Sequence, residues 1–189
     1  MSGGNVTITY KLDEGEFAAI TKKLQEIAGN KARVYIARAL NKTATTARVK
    51  LAAKAQASYT VKTGGFKKDM QIKKASAGDL TAIIRSHGDT LDIKKFKYSA
   101  PKSGVKVDIV RSGLKPLGKY GNKAFVGRGS ANGHVYVRQT KDRLPIEKLK
   151  SKSTPYMIGS RNRVYGVLEP QIKSDLKKYM GQQIKALIG

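Results

Sequence analysis

The chain is predicted to fold as one α+β domain, 1–189, on three observations. Residues 31–58 carry apolar side chains at helical spacing, with alanine at most of the inward positions. Short alternating runs separated by glycine turns follow. A last amphipathic stretch closes the chain. A chain of 189 residues is of ordinary domain size and can bury a core without disulfide or metal staples.

The first element is an N-terminal strand. Val6, Ile8, Tyr10 and Leu12 alternate with Thr7, Thr9 and Lys11, the period of a half-buried strand. The acidic turn Asp13-Glu14-Gly15-Glu16 suits a helix N-terminus, where carboxylates meet the positive end of the dipole. Phe17, Ile20, Leu24 and Ile27 then recur at helical spacing until Gly29-Asn30 stops the run. The second of these two helices is long. Ile36, Ala37, Leu40, Ala44, Ala47, Leu51 and Ala55 form its inward stripe, and Lys31, Arg38 and Lys42 lie opposite. So small a stripe lets another helix or a neighbouring subunit approach closely.

Beyond Tyr59 the texture changes, and Thr63-Gly64-Gly65 signals a turn. Runs at 70–72, 80–85, 91–96 and 105–110 predict a small antiparallel sheet, punctuated by Gly78-Asp79, His87-Gly88-Asp89 and Lys102-Ser103-Gly104. A glycine-rich patch, 118–133, leads into the strand His134-Val135-Tyr136-Val137. Residues 139–163 have little periodicity and are expected to form an irregular, extended arm. Pro170 is expected to open the C-terminal amphipathic helix, whose apolar side is Ile172, Leu176, Tyr179, Met180 and Leu187.

Charge narrows the function. Thirty-eight Lys and Arg face 13 Asp and Glu, a formal net charge of +25. Self-repulsion at that level opposes compaction unless something anionic is nearby, and nucleic acid is the commonest such partner. The excess is local: residues 1–30 hold three bases and four acids, residues 31–77 twelve bases and one acid. Lys31, Arg38, Lys42, Lys50, Lys54, Lys67 and Lys68 are therefore the candidate contacts to DNA or an acidic partner. No groove-reading motif accompanies them, so contacts to backbone phosphate are expected.

Enzymatic chemistry finds little support. Without cysteine there is no thiolate nucleophile and no thiolate metal site. His87 and His134 stand apart and read as solvated loop residues, and Asp79, Asp89 and Asp92 as scattered turn aspartates. Nuclease chemistry needs several carboxylates around Mg²⁺. The run 127–133 is similar to a dinucleotide fingerprint, but its third glycine is one place late and a strand follows it. Lys94-Lys95-Phe96-Lys97-Tyr98 suits either base stacking or a strand with one buried face, and the strand is the simpler reading. No catalytic residue, metal or cofactor is expected. The N-terminus lacks the form of a signal peptide, and no stretch approaches a membrane span, so a soluble protein made in the cytoplasm is expected.

One resemblance covers most of the chain, from about residue 31 to the end. Val135-Tyr136-Val137-Arg138 is followed by Arg143-Leu144-Pro145-Ile146 and then by Ser153-Thr154-Pro155-Tyr156-Met157. Ala39-Leu40-Asn41-Lys42-Thr43-Ala44 precedes them in the long helix. This ordered set resembles the minor tail protein Z family of long-tailed phages. The chain departs from it at Lys150-Ser151-Lys152-Ser153, where members often carry Gly-Pro. The resemblance implies a structural tail-completion protein in the virion, assembled in the host cytoplasm and placed at the head–tail junction. It implies a ring, hexameric by family, around the DNA channel. Tail terminator, tail tube and head–tail connector proteins would be its neighbours, with the phage genome in the channel and no membrane. A free-standing, sequence-indifferent nucleic-acid-binding protein is the alternative, explaining the charge but not the alanine stripe.

The residues of the arm suggest a docking strap. Pro145 and Pro155 stiffen it, while Leu144, Ile146, Leu149, Tyr156 and Met157 supply apolar anchors next to Arg143. Either a neighbouring subunit or the chain's own sheet could receive them.

Overall fold

A computed structural model describes residues 4–10, 16–62 and 65–188. Lys11 and Leu12 of the expected strand and most of the expected turns 13–16 and 63–65 lie outside them, as do the side chains of Phe17, Ile20 and Ile27.

In chain order the elements are β1 (Gly4–Tyr10), α1 (Glu16–Ser58), β2 (Met70–Lys73), β3 (Ala82–Gly88), β4 (Thr90–Asp92), β5 (Lys97–Ser99) and β6 (Lys106–Asp108). Then come β7 (Lys115–Pro116), β8 (Gly118–Lys119), β9 (Asn122–Lys123), β10 (Phe125–Val126) and β11 (Val135–Arg138). β12 (Ile146–Lys148), β13 (Lys150–Ser153), α2 (Thr154–Ile158) and α3 (Tyr165–Ile188) complete the fold. The α+β reading holds, with the N-terminal strand, the long helix and the closing helix where they were expected.

The two expected helices are two segments of α1, broken at Gly29, where φ is 53° and ψ is −132°. That backbone is open to glycine because it has no Cβ. Past the break, Ile36, Leu40, Ala44, Ala47, Leu51 and Ala55 are each no more than 1 % exposed. Hiding a leucine or isoleucine this fully contributes about 1.5–3 kcal/mol, which makes the stripe the main reason the helix holds.

α3 packs along α1 through Ile172, Leu176 and Met180. It begins at Tyr165, so Pro170 sits inside the helix and does not open it. The earlier start has a cause: Leu168 N–H already bonds the Val164 carbonyl at 3.1 Å. So near the N-terminus, the missing N–H of Pro170 deprives only the Gly166 carbonyl of its helical partner.

The expected single sheet divides into several small ones, and every pairing is antiparallel. The order β1-β3-β2 aligns Ile8, Ile84 and Ile72 in one row, and this sheet lies against α1 and α2. The later ladders are short because turns and Pro116, which has no N–H to donate, end them early. The run 91–96 is not one strand. After β4 the chain enters a 3-10 turn, Ile93–Lys95, where the Asp92 carboxylate accepts the Lys94 N–H at 3.3 Å. Of the basic-aromatic run only Lys97 and Tyr98 lie in a strand, β5; Lys94 and Lys95 belong to the 3-10 turn, and Phe96, which ends that turn, is fully buried.

The arm at 139–163 is more regular than its sequence suggests. Its middle forms β12, β13 and α2, and only its two ends are irregular. Backbone pairing with β11 and β4 supplies the order that periodicity did not reveal.

Candidate functional site

The bases of α1 separate into two groups. Lys31, Arg38 and Lys42 are exposed on the face opposite the buried stripe, as expected. The Arg38 guanidinium lies 5.0 Å from the Tyr35 ring centre, and Lys42 Nζ lies 4.7 Å from that of Tyr179. Lys42 also donates to Gln182 Oε1 at 3.3 Å, which braces it from α3 while leaving it open to solvent. Lys67 and Lys68 are exposed on the 3-10 turn Phe66–Asp69, which packs on α1.

Lys50 differs. Its Nζ is 2.6 Å from Asp175 Oδ2 on α3, with the carboxylate mostly covered, so it is a clasp in the helix seam. Lys54 is half-buried. Two further bases of this region, Arg33 and Arg48, donate to the carbonyls of Ala77 and Met70 and tie the following loop and strand to the helix.

The strap residues also divide. Leu149, Pro155 and Met157 are buried in the chain's own core, and Ile146 is half-buried in β12. Leu149 N–H bonds the Val135 carbonyl at 2.8 Å. Ser153 caps α2 by accepting the Tyr156 N–H at 3.4 Å, and Pro155 occupies the first turn, where no N–H is needed. Arg143, Leu144, Pro145 and Tyr156 remain exposed, Leu144 at 66 % and Tyr156 at 52 %.

A cluster the sequence did not announce joins the sheets. Asp92 Oδ2 lies 2.8 Å from Lys148 Nζ and 2.5 Å from His134 Nδ1, the latter a close approach without the alignment of a hydrogen bond. His134 and Asp92 are thus largely covered and in contact, not solvated loop residues. Burial opposes the charge on Asp92. The Lys148 ammonium, the Lys94 N–H and His134 outweigh it and hold the carboxyl below its ordinary value. Forty-two residues separate Asp92 from His134, and no local pattern could have paired them. A second tie, Lys119 to Glu147 at 2.8 Å with Tyr120 Oη at 2.8 Å, fixes the β8–β9 hairpin to β12.

Asp92→Asn is expected to cost about 1–3 kcal/mol at neutral pH, because it leaves the half-buried Lys148 ammonium without its anion. The folded carboxyl titrates below the ordinary 3.8, so its contribution is complete above that value and fades as pH falls through the lower one. Urea unfolding across a pH series should show the gap between variant and parent closing in acid. A constant gap would mean that the ionised carboxylate is not what matters.

Among the described residues no three His, Asp or Glu side chains group as a metal site would require, and no helix is long and apolar enough to cross a membrane. No curated protein and no solved structure matches the chain. A family model described as prophage minor tail protein Z (GPZ) matches residues 15–188. With nearly the whole chain matched, the protein belongs to the prophage minor tail protein Z family of structural phage tail proteins.

Proposed function

We propose that this tail protein completes the tail at its head-proximal end, as part of a homo-oligomeric ring around the DNA channel. Its bases would contact the genome without reading sequence. The observation that carries the reading is the exposed set Lys31, Arg38, Lys42, Lys67 and Lys68, on and beside one helix of a chain with net charge +25. A merely solvated face mixes signs, whereas α1 past Gly29 carries no acidic residue. Lys50 and Lys54 are secondary in the proposal, the first because Asp175 already neutralises it. The loop between β11 and β12, with Arg143, Leu144 and Pro145 exposed, is the proposed contact to the adjacent subunit, offering an apolar side chain beside a cation and a stiffening proline. Tail terminator, tail tube and connector proteins are the proposed axial neighbours.

Gold labelling of an epitope-tagged copy in purified virions is expected to mark the neck. Label along the tube or at the distal tip would overturn the placement. In a salt series, affinity for unrelated DNA duplexes should fall equally, with a log–log slope of about −4.5 for five phosphate contacts. A preference for one sequence, or a flat salt response, would remove the channel-contact reading.

A further inference from the structure

Beside the C-terminal end of α1 lies a groove of about 720 Å³. Its floor is apolar: Tyr59, Val107 and Met157 are buried there, and Ile109 and Val110 half-buried. Its rim carries four exposed bases, Lys115, Lys150, Lys152 and Arg163, and no acidic side chain lines it. Tyr156 stands at its edge with Lys152 Nζ 2.5 Å from its hydroxyl and 3.8 Å from its ring centre. Two strand edges flank the groove. Among the described residues β13 pairs only with β4, and β7 only with β6.

We propose that this groove binds an extended acidic segment of another protein, added as a strand at the edge of β13. Side chains of a strand alternate between two faces. An occupant of alternating apolar and acidic residues would place the first kind on the floor and the second against the rim. Its backbone would pair with the open edge, the usual source of affinity in strand addition. Lysines on an edge strand repel a basic strand and admit an acidic one. With +25 on every chain, a second copy is disfavoured as the occupant and an acidic neighbour favoured. Nucleic acid matches the rim but not the site, since its backbone offers neither amide hydrogens for the edge nor aliphatic groups for the floor. The proposal is independent of whether the bases of α1 touch DNA.

The test uses the full chain and a short fluorescent peptide alternating glutamate and valine, followed by anisotropy at about 0.15 M salt, where distant surface charges are screened. Binding is expected, and Lys150→Glu with Lys152→Glu should weaken it about tenfold or more. Lys67→Glu with Lys68→Glu, an equal change of charge elsewhere, should leave it within about twofold. Equal losses in both pairs would show polyelectrolyte attraction and overturn the proposal. A peptide methylated at alternate amide nitrogens should bind poorly, and unchanged binding would overturn strand addition. Sedimentation velocity supplies the last arm. Parent self-association that disappears in Lys150→Glu/Lys152→Glu would make the groove a contact between copies and overturn the acidic-partner assignment.

Discussion

Met157→Ala is expected to lower the stability of the isolated protein by about 2–5 kcal/mol, a fall of roughly 5–20 °C in melting midpoint for a chain of this size. The side chain, on the buried side of α2, is 1 % exposed and forms part of the floor of the groove. Leu144→Ser, on the same strap but 66 % exposed, should change stability by no more than about 0.5 kcal/mol. Calorimetry of the two variants separates the part of the strap that builds the fold from the part left for partners. A mild Met157→Ala would mean that α2 is loosely held. A severe Leu144→Ser would mean that the loop between β11 and β12 is packed, which excludes it as a subunit contact.

Reversing Lys31, Arg38 and Lys42 together to Glu is expected to abolish plaque formation in a complementation assay while the purified protein stays folded. All three are exposed, and the stripe that holds the helix is on its other side. The cost within the fold is limited to the Arg38–Tyr35 and Lys42–Tyr179 contacts and the Lys42–Gln182 hydrogen bond, each worth about a kcal/mol or less at an exposed site. DNA affinity should drop, and the salt slope should flatten by about 3, one for each phosphate no longer neutralised. Loss of helical circular dichroism would assign the residues to the fold. Normal plaques from a folded variant would refute the role proposed for this face.

What the sequence disclosed follows from the range of the interactions involved. The stripe from Ile36 to Ala55 was readable because helical burial repeats locally, and its exposed counterface, with Lys31, Arg38 and Lys42, came with it. Gly29 was readable as a break for the same local reason. Lys50 was not, since only the arrival of Asp175 from the far end of the chain makes it a clasp. Asp92 with His134 and Lys148 is a similar case, assembled by three strands or their flanks. The strap misled in the other direction. Its two prolines and irregular pattern suggested an extended arm, yet pairing with β11 and β4 imposes order that no period records. The apolar groove was equally invisible, because its walls come from three separate stretches of sequence.

The seam between α1 and α3 also constrains how the molecule can be made. The stripe of α1, 36–55, is synthesised well before α3, Tyr165–Ile188, which packs along it. Contacts so distant in sequence are slow to form, because the intervening loop must close before they can reward it. Until then an alanine-rich apolar ridge stands uncovered on a nascent chain, the situation in which chains stick to one another. The +25 charge, so awkward for the finished molecule, keeps such incomplete copies apart. A chain stopped before Tyr165 would keep the ridge and never receive its cover, so even a short C-terminal truncation reaches back to the first helix.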